Sequence, residues 1–138
     1  VDGAEAFVAM AKGVLVMPNV KKGAFLVGAE YGEGALRVNG KTVGYYNTAS
    51  GSFGLQIGAQ KKDIIIMFMT DESLGKFQNS KGWEAGVDGS VALVKVGAGG
   101  SIDTTNIKDP IIGFVIGQKG LMFNVTLEGS KFTKIVRE

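Results

Sequence analysis

The 138 residues carry 15 basic and 13 acidic side chains, a net charge of +2, with no cysteine and no histidine. Those two absences exclude disulfides, thiolate chemistry and cysteine metal sites, and remove the commonest general base and metal ligand. The net charge is too small to argue nucleic-acid binding, and no apolar run reaches the ~20 residues that a membrane-crossing helix needs.

The length and a 45% apolar content fit one domain, residues 1–138, with its own core. The chain opens on a helical pattern over 2–12: Asp2 can cap it, Glu5 stands in capping-box spacing, and Phe7, Met10 and Ala11 follow the helical period before Lys12 and Gly13 stop it. This stretch reads as the tail of a longer N-terminal helix removed upstream. From Gly13 the period changes to two. A strand over 13–17 is expected to stop at Pro18-Asn19, and another follows over 23–31.

The clearest local signal is Asn39-Gly40 between two apolar runs, a two-residue hairpin with a type I′ turn. That turn predicts the pairs Val38–Lys41, Leu36–Val43 and Gly34–Tyr45. Alternation over 53–60 predicts a strand with one bulky and one small or polar face. Lys61-Lys62-Asp63 reads as a charged turn, and 64–69 as a strand covered on both sides. Thr70-Asp71-Glu72 marks a helix start with Leu74 and Phe77 facing inward and Asn79 as its end.

Residues 83–96 read as one long strand, with Glu84 and Asp88 on a shared face. A loop over 97–110 follows, then a hairpin around Gly117-Gln118-Lys119-Gly120 and a last strand over 131–136. The expected class is mainly β (α+β by strict count), with about eight to ten strands and two short helices. Glycine, at 22 residues against 2 prolines, recurs inside the strands. Bulges, bends and close backbone approach explain that habit, and point to a strongly coiled antiparallel sheet, with a closed barrel as its limit.

Three motifs carry less than they first suggest. Gly117 to Gly120 resembles the nucleic-acid clamp of KH domains, but strand alternation after it makes a hairpin turn. Gly97-Ala98-Gly99-Gly100 is followed by neither a helix nor a Lys-Ser/Thr pair, so it is no phosphate loop. Glu30, Glu33, Glu84 and Asp88 lack the spacing of an oxygen-ligand metal site. No catalytic residue, cofactor or metal is assigned, and no enzyme activity is expected. The remaining signal is basic: Lys12 at the helix end, Lys21-Lys22 after the next turn, Lys61-Lys62 in another turn, and Lys131, Lys134 and Arg137 closing the chain, either an anion-attracting set or lysines that decorate turns for solubility.

Long stretches of the chain resemble the SYLF domain family. They include Ala11-Lys12-Gly13-Val14-Leu15-Val16-Met17-Pro18, Gly44-Tyr45-Tyr46-Asn47, Gly51-Ser52-Phe53-Gly54-Leu55-Gln56-Ile57-Gly58-Ala59-Gln60, Gly82-Trp83-Glu84, and Leu127-Glu128-Gly129-Ser130-Lys131. The likeness is strongest to the family's bacterial branch of secreted or lipid-anchored proteins. The resemblance implies non-enzymatic binding of anionic phospholipids, phosphoinositides above all, at a membrane surface, and a location in the bacterial cell envelope. Lys12, Lys21 and Lys22 are the expected attracting charges, flanking the helix-to-sheet junction, and Lys61 and Lys62 a second patch; such lysines contribute roughly 1 kcal/mol each near anionic lipid. Phe7 and Met10 serve either apolar contact with lipid or core packing. The alternative partner is a protein of the cell envelope, with no headgroup specificity.

Overall fold

A computed structural model describes residues 10–22, 29–51, 61–94, 109–117, 120–121 and 127–135. The elements are β1 (Gly13–Lys22), β2 (Ala29–Val38), β3 (Lys41–Gly51), β4 (Lys61–Phe68), α1 (Asp71–Gln78), β5 (Gly82–Glu84), β6 (Ala92–Leu93), β7 (Ile111–Gly117), β8 (Gly120–Leu121) and β9 (Lys131–Ile135). The described strands form one sheet in the order β5-β9-β3-β2-β1-β4-β7-β6, with β8 also paired to β7. Every neighbouring pair is antiparallel except β6 with β7. The sheet is strongly curled and forms a half-barrel, so the expected mainly-β class holds.

The curl gives the sheet an inner face closed by α1. Thr70 caps the helix: its hydroxyl oxygen accepts a hydrogen bond from the Ser73 backbone N–H at 3.1 Å, and Asp71 and Glu72 complement the dipole in the first turn. Leu74 and Phe77 then face the sheet, as the helical spacing requires, and join a core with Leu15, Leu36, Ile66 and Phe132. The Phe77 ring packs 4.6 Å from Phe68, 4.7 Å from Tyr46 and 5.6 Å from Trp83, measured between centroids. Tilted and edge-on pairs of this kind add about 0.5–1.5 kcal/mol each beyond the area they bury. The outer face carries a second cluster, Met67, Val94, Ile112 and Phe114. Because Met67 faces that cluster while Ile66 and Phe68 face the first, β4 is apolar on both sides, as its unbroken run from Ile64 predicts.

Four expectations need correction. β1 does not stop at Pro18. It runs on to Lys22 through a register shift, from Val16 to Lys21 against β2 and from Met17 to Val20 against β4. A bulge interrupts the ladder there, so the missing N–H of proline costs little. Lys61 and Lys62 are no turn either: they open β4, where the extended β1 gives their backbone a partner.

The hairpin turn forms as expected, with Asn39 at φ 54° and Gly40 at φ 77°, and Val38 opposite Lys41. Beyond it the register slips by one residue, so Leu36 lies opposite Gly44 and Gly34 opposite Tyr46. Tyr46 is therefore the buried ring, while Tyr45 and Val43 are exposed. A carbon added at Gly34 would run into the Val16 carbonyl oxygen, so only glycine lets β1 and β2 approach this closely.

Residues 83–96 form no continuous strand. β5 ends at Glu84, Gly86 turns at φ 90°, and the Asp88 carboxylate accepts a hydrogen bond from the Glu84 N–H at 2.7 Å. Glu84 and Asp88 thus belong to one tight turn rather than to one strand face. Residues 2–9 of the expected first helix, 23–28 of the expected strand over 23–31, the strand over 53–60, and most of the 97–110 loop lie outside the described residues.

Candidate functional site: a basic end of the sheet

The β1–β4 ladder joins two lysine pairs that lie forty residues apart in the chain. Past the Pro18-Asn19 bulge, Lys21 stands directly opposite Lys61, and Val20 opposite Lys62. On its other side β1 meets β2, where Lys22 stands opposite Glu30 and Lys21 opposite Tyr31. Four lysines therefore occupy one end of two neighbouring strands. Directly opposed like charges on adjacent strands, about 5 Å apart, destabilise a sheet. Lys21 and Lys61 are register partners, and Asp63 follows two positions after Lys61 on β4.

Lys12 does not join them. It precedes β1, where its N–H donates to the Phe68 carbonyl at 2.8 Å, and its side chain is exposed. Nine residues of strand put Lys12 ~30 Å from Lys21. The structure thus unites Lys21, Lys22, Lys61 and Lys62 and leaves Lys12 at the far end of β1. Met10 is 51% exposed rather than packed in the core. Phe7 lies outside the described residues.

A cleft of about 430 Å³ opens at the other end of the fold, between α1 and the turn after β5. Trp83 and Ile111 supply apolar walls, and Glu72, Asp88 and Asp109 carry the charge, with Lys76 alongside. Each polar group with a described contact is engaged locally. Lys76 pairs with Glu72 at 3.3 Å, the Thr70 hydroxyl donates to the Ser73 oxygen at 2.9 Å, and Asp88 holds the Glu84 N–H. This sign of charge repels an anionic headgroup. Among the described residues no group of three acidic side chains is placed to hold a metal ion.

Two features were missed in the sequence. The meeting of the two lysine pairs follows from strand order, which periodicity along one strand does not encode. The exposed pair Val43 and Tyr45 follows from the register slip, for which Gly44 beside two tyrosines was the available signal.

No curated protein sequence matches the chain. The family model that matches it, over residues 49–137, is described as Ysc84, Las17-binding protein actin regulator. That span takes in β4, α1 and every strand that follows, and it includes Lys61 and Lys62. The chain, a mainly-β half-barrel plugged by one described helix, belongs to the Ysc84 (SYLF) family.

Proposed function

We propose that this domain is a non-enzymatic binding module that meets anionic phospholipid at a membrane surface, with Lys21 and Lys61 as its principal attracting charges. The observation that carries the reading is the register of β1 on β4, which brings lysines forty residues apart in the chain to opposed positions at one end of two neighbouring strands. Membership of a lipid- and actin-regulator-associated family supports a binding role over a catalytic one. Phosphoinositide headgroups, with more than one phosphate, suit clustered lysines better than a single phosphodiester does. A place in the bacterial cell envelope belongs to the same proposal.

Co-sedimentation with vesicles tests it. The chain is expected to bind vesicles containing phosphatidylserine or phosphoinositide, to ignore pure phosphatidylcholine, and to release as salt shortens the screening length below about 8 Å. Replacing Lys21 and Lys61 together with alanine is expected to weaken binding about ten-fold or more, from two charges worth roughly 1 kcal/mol each. Equal binding to neutral and acidic vesicles sinks the proposal.

A second reading has its own observation. On the outer face Val16, Ala35, Tyr45 and Ile135 occupy one continuous cross-strand row over β1, β2, β3 and β9, with Val43 exposed nearby. The family description names a protein partner, and an apolar row of this kind suits a protein surface. Association that persists in high salt and needs Tyr45 favours this reading.

A further inference from the structure

We infer that the cleft between α1 and the turn after β5 is a second binding site, one that takes an arginine side chain from a basic segment of a protein partner; it is independent of the lipid reading above. The cleft holds about 430 Å³, room for a side chain or a small molecule but not for a folded surface. Its floor is apolar: Trp83 and Ile111 are buried, and Val91 and Ala92 are half-buried beside them. Its rim carries acid in excess, Glu72, Asp88 and Asp109 against Lys76.

The walls are fixed before a ligand arrives, which lowers the cost of binding. The Met69 N–H donates to the Pro110 carbonyl at 2.8 Å, and the Ser73 hydroxyl lies 3.3 Å from the same oxygen, so the start of α1 is tied to the start of β7. Across the cleft, a carbon added at Gly89 would fall 2.8 Å from Trp83 Cζ2 and 3.2 Å from Ile111 Cδ1, so the backbone there lies directly on the floor. The Asp88 carboxylate is held by the Glu84 N–H at 2.7 Å. Lys76 is engaged by Glu72 at 3.3 Å, which leaves the charges of Asp88 and Asp109 without a cation. Asp109 is half-buried and makes no hydrogen bond or ion pair among the described residues. A carboxylate partly withdrawn from water in this way favours a cationic donor. A guanidinium fits rim and floor together: its edge donates to carboxylates, and its weakly hydrated faces lie well on aromatic and aliphatic surface. Val87, 75% exposed at the tip of the turn beside Asp88, offers apolar contact to the residues flanking that arginine.

Trp83 is the chain's one tryptophan, so its emission reports on the floor of the cleft. The probe is acetyl-leucyl-arginine amide, and its control is the citrulline peptide, of the same shape without the charge. The arginine peptide is expected to change Trp83 emission saturably and to bind about ten-fold more tightly than the citrulline peptide, the effect of one charge-assisted hydrogen bond. Asp109→Asn is expected to erase that preference. Lys76→Ala, at an exposed helix position where the fold tolerates it, is expected to tighten arginine binding several-fold by releasing Glu72. Glu33→Gln removes the same charge from an exposed position on β2 and is expected to change nothing. Equal affinity for the two peptides, or no saturable change with either, overturns the inference. Equal losses for Asp109→Asn and Glu33→Gln reduce the effect to net charge and overturn it too. Choline bound as tightly as the arginine peptide rules out guanidinium recognition. None of these outcomes bears on binding to vesicles.

Discussion

At the scale of single residues, burial decides roles that the sequence leaves even. Tyr45 and Tyr46 are adjacent and chemically identical, and the regular two-residue hairpin puts Tyr45 across from Gly34. The bulge at Val43 reverses the outcome: Tyr46 goes to the core, 1% exposed, and Tyr45 stays 41% exposed. Burial holds the Tyr46 phenol above its ordinary value near 10, because desolvation disfavours the phenolate. A phenol with a raised folded pKa leaves stability untouched below the unfolded value. Above it the unfolded chain loses its proton first, so stability falls as pH rises from about 10 toward the folded pKa. Denaturant unfolding over that range should therefore show a steeper alkaline loss for the unaltered chain than for Tyr46→Phe. Identical slopes would show that Tyr46 ionises equally well in both states. Phe77 contrasts with the tyrosines: its inward position was legible from Thr70 and the helical period alone, though the rings awaiting it on β3, β4 and β5 were not.

At the scale of elements, α1, the central part of β4 and the Asn39-Gly40 turn were legible because each is specified by residues close in sequence. β1 and the 83–96 region were not, because their ends are set by partners. Pro18 halts a strand by its own chemistry, yet a bulge lets β1 pass it and reach β4 again. In 83–96 the alternation continues through a turn that Gly86 and Asp88 impose. The Asp88 carboxylate replaces a neighbouring strand for the outward Glu84 N–H, while the Glu84 carbonyl accepts from the Val87 and Asp88 N–H groups at 3.2 and 2.8 Å. The turn thereby closes the free edge of β5, which otherwise invites pairing with another chain. Asp88→Ala is expected to cost about 1 kcal/mol in thermal or denaturant stability, the worth of one exposed charge-assisted hydrogen bond, and to raise the tendency to self-associate. Asp88→Asn retains an acceptor and should recover most of both. An alanine variant that matches the unaltered chain in melting and in sedimentation would show that the turn holds without it.

At the scale of the molecule, strand order is what turns scattered lysines into a site, and strand order was the least legible property of the sequence. Hydrophobic patterning reports which face of a strand is buried; it does not report which strand lies alongside. The chain brings β1 beside β4 rather than leaving it an edge, and that choice sets Lys21 against Lys61. If the pair is kept for binding, stability and function must pull in opposite directions there. Lys61→Glu converts an opposed like pair into an opposed unlike pair. It is expected to raise stability without lipid by a few tenths of a kcal/mol up to about 1, the range for a cross-strand ion pair. The same change should weaken binding to phosphatidylserine vesicles more than Lys61→Ala does, because it adds repulsion to lost attraction. High salt should shrink both effects together, since both are surface electrostatics. A Lys61→Glu variant that is less stable than the unaltered chain, or that binds acidic vesicles equally well, removes the physical reason for reading this end of the sheet as a site.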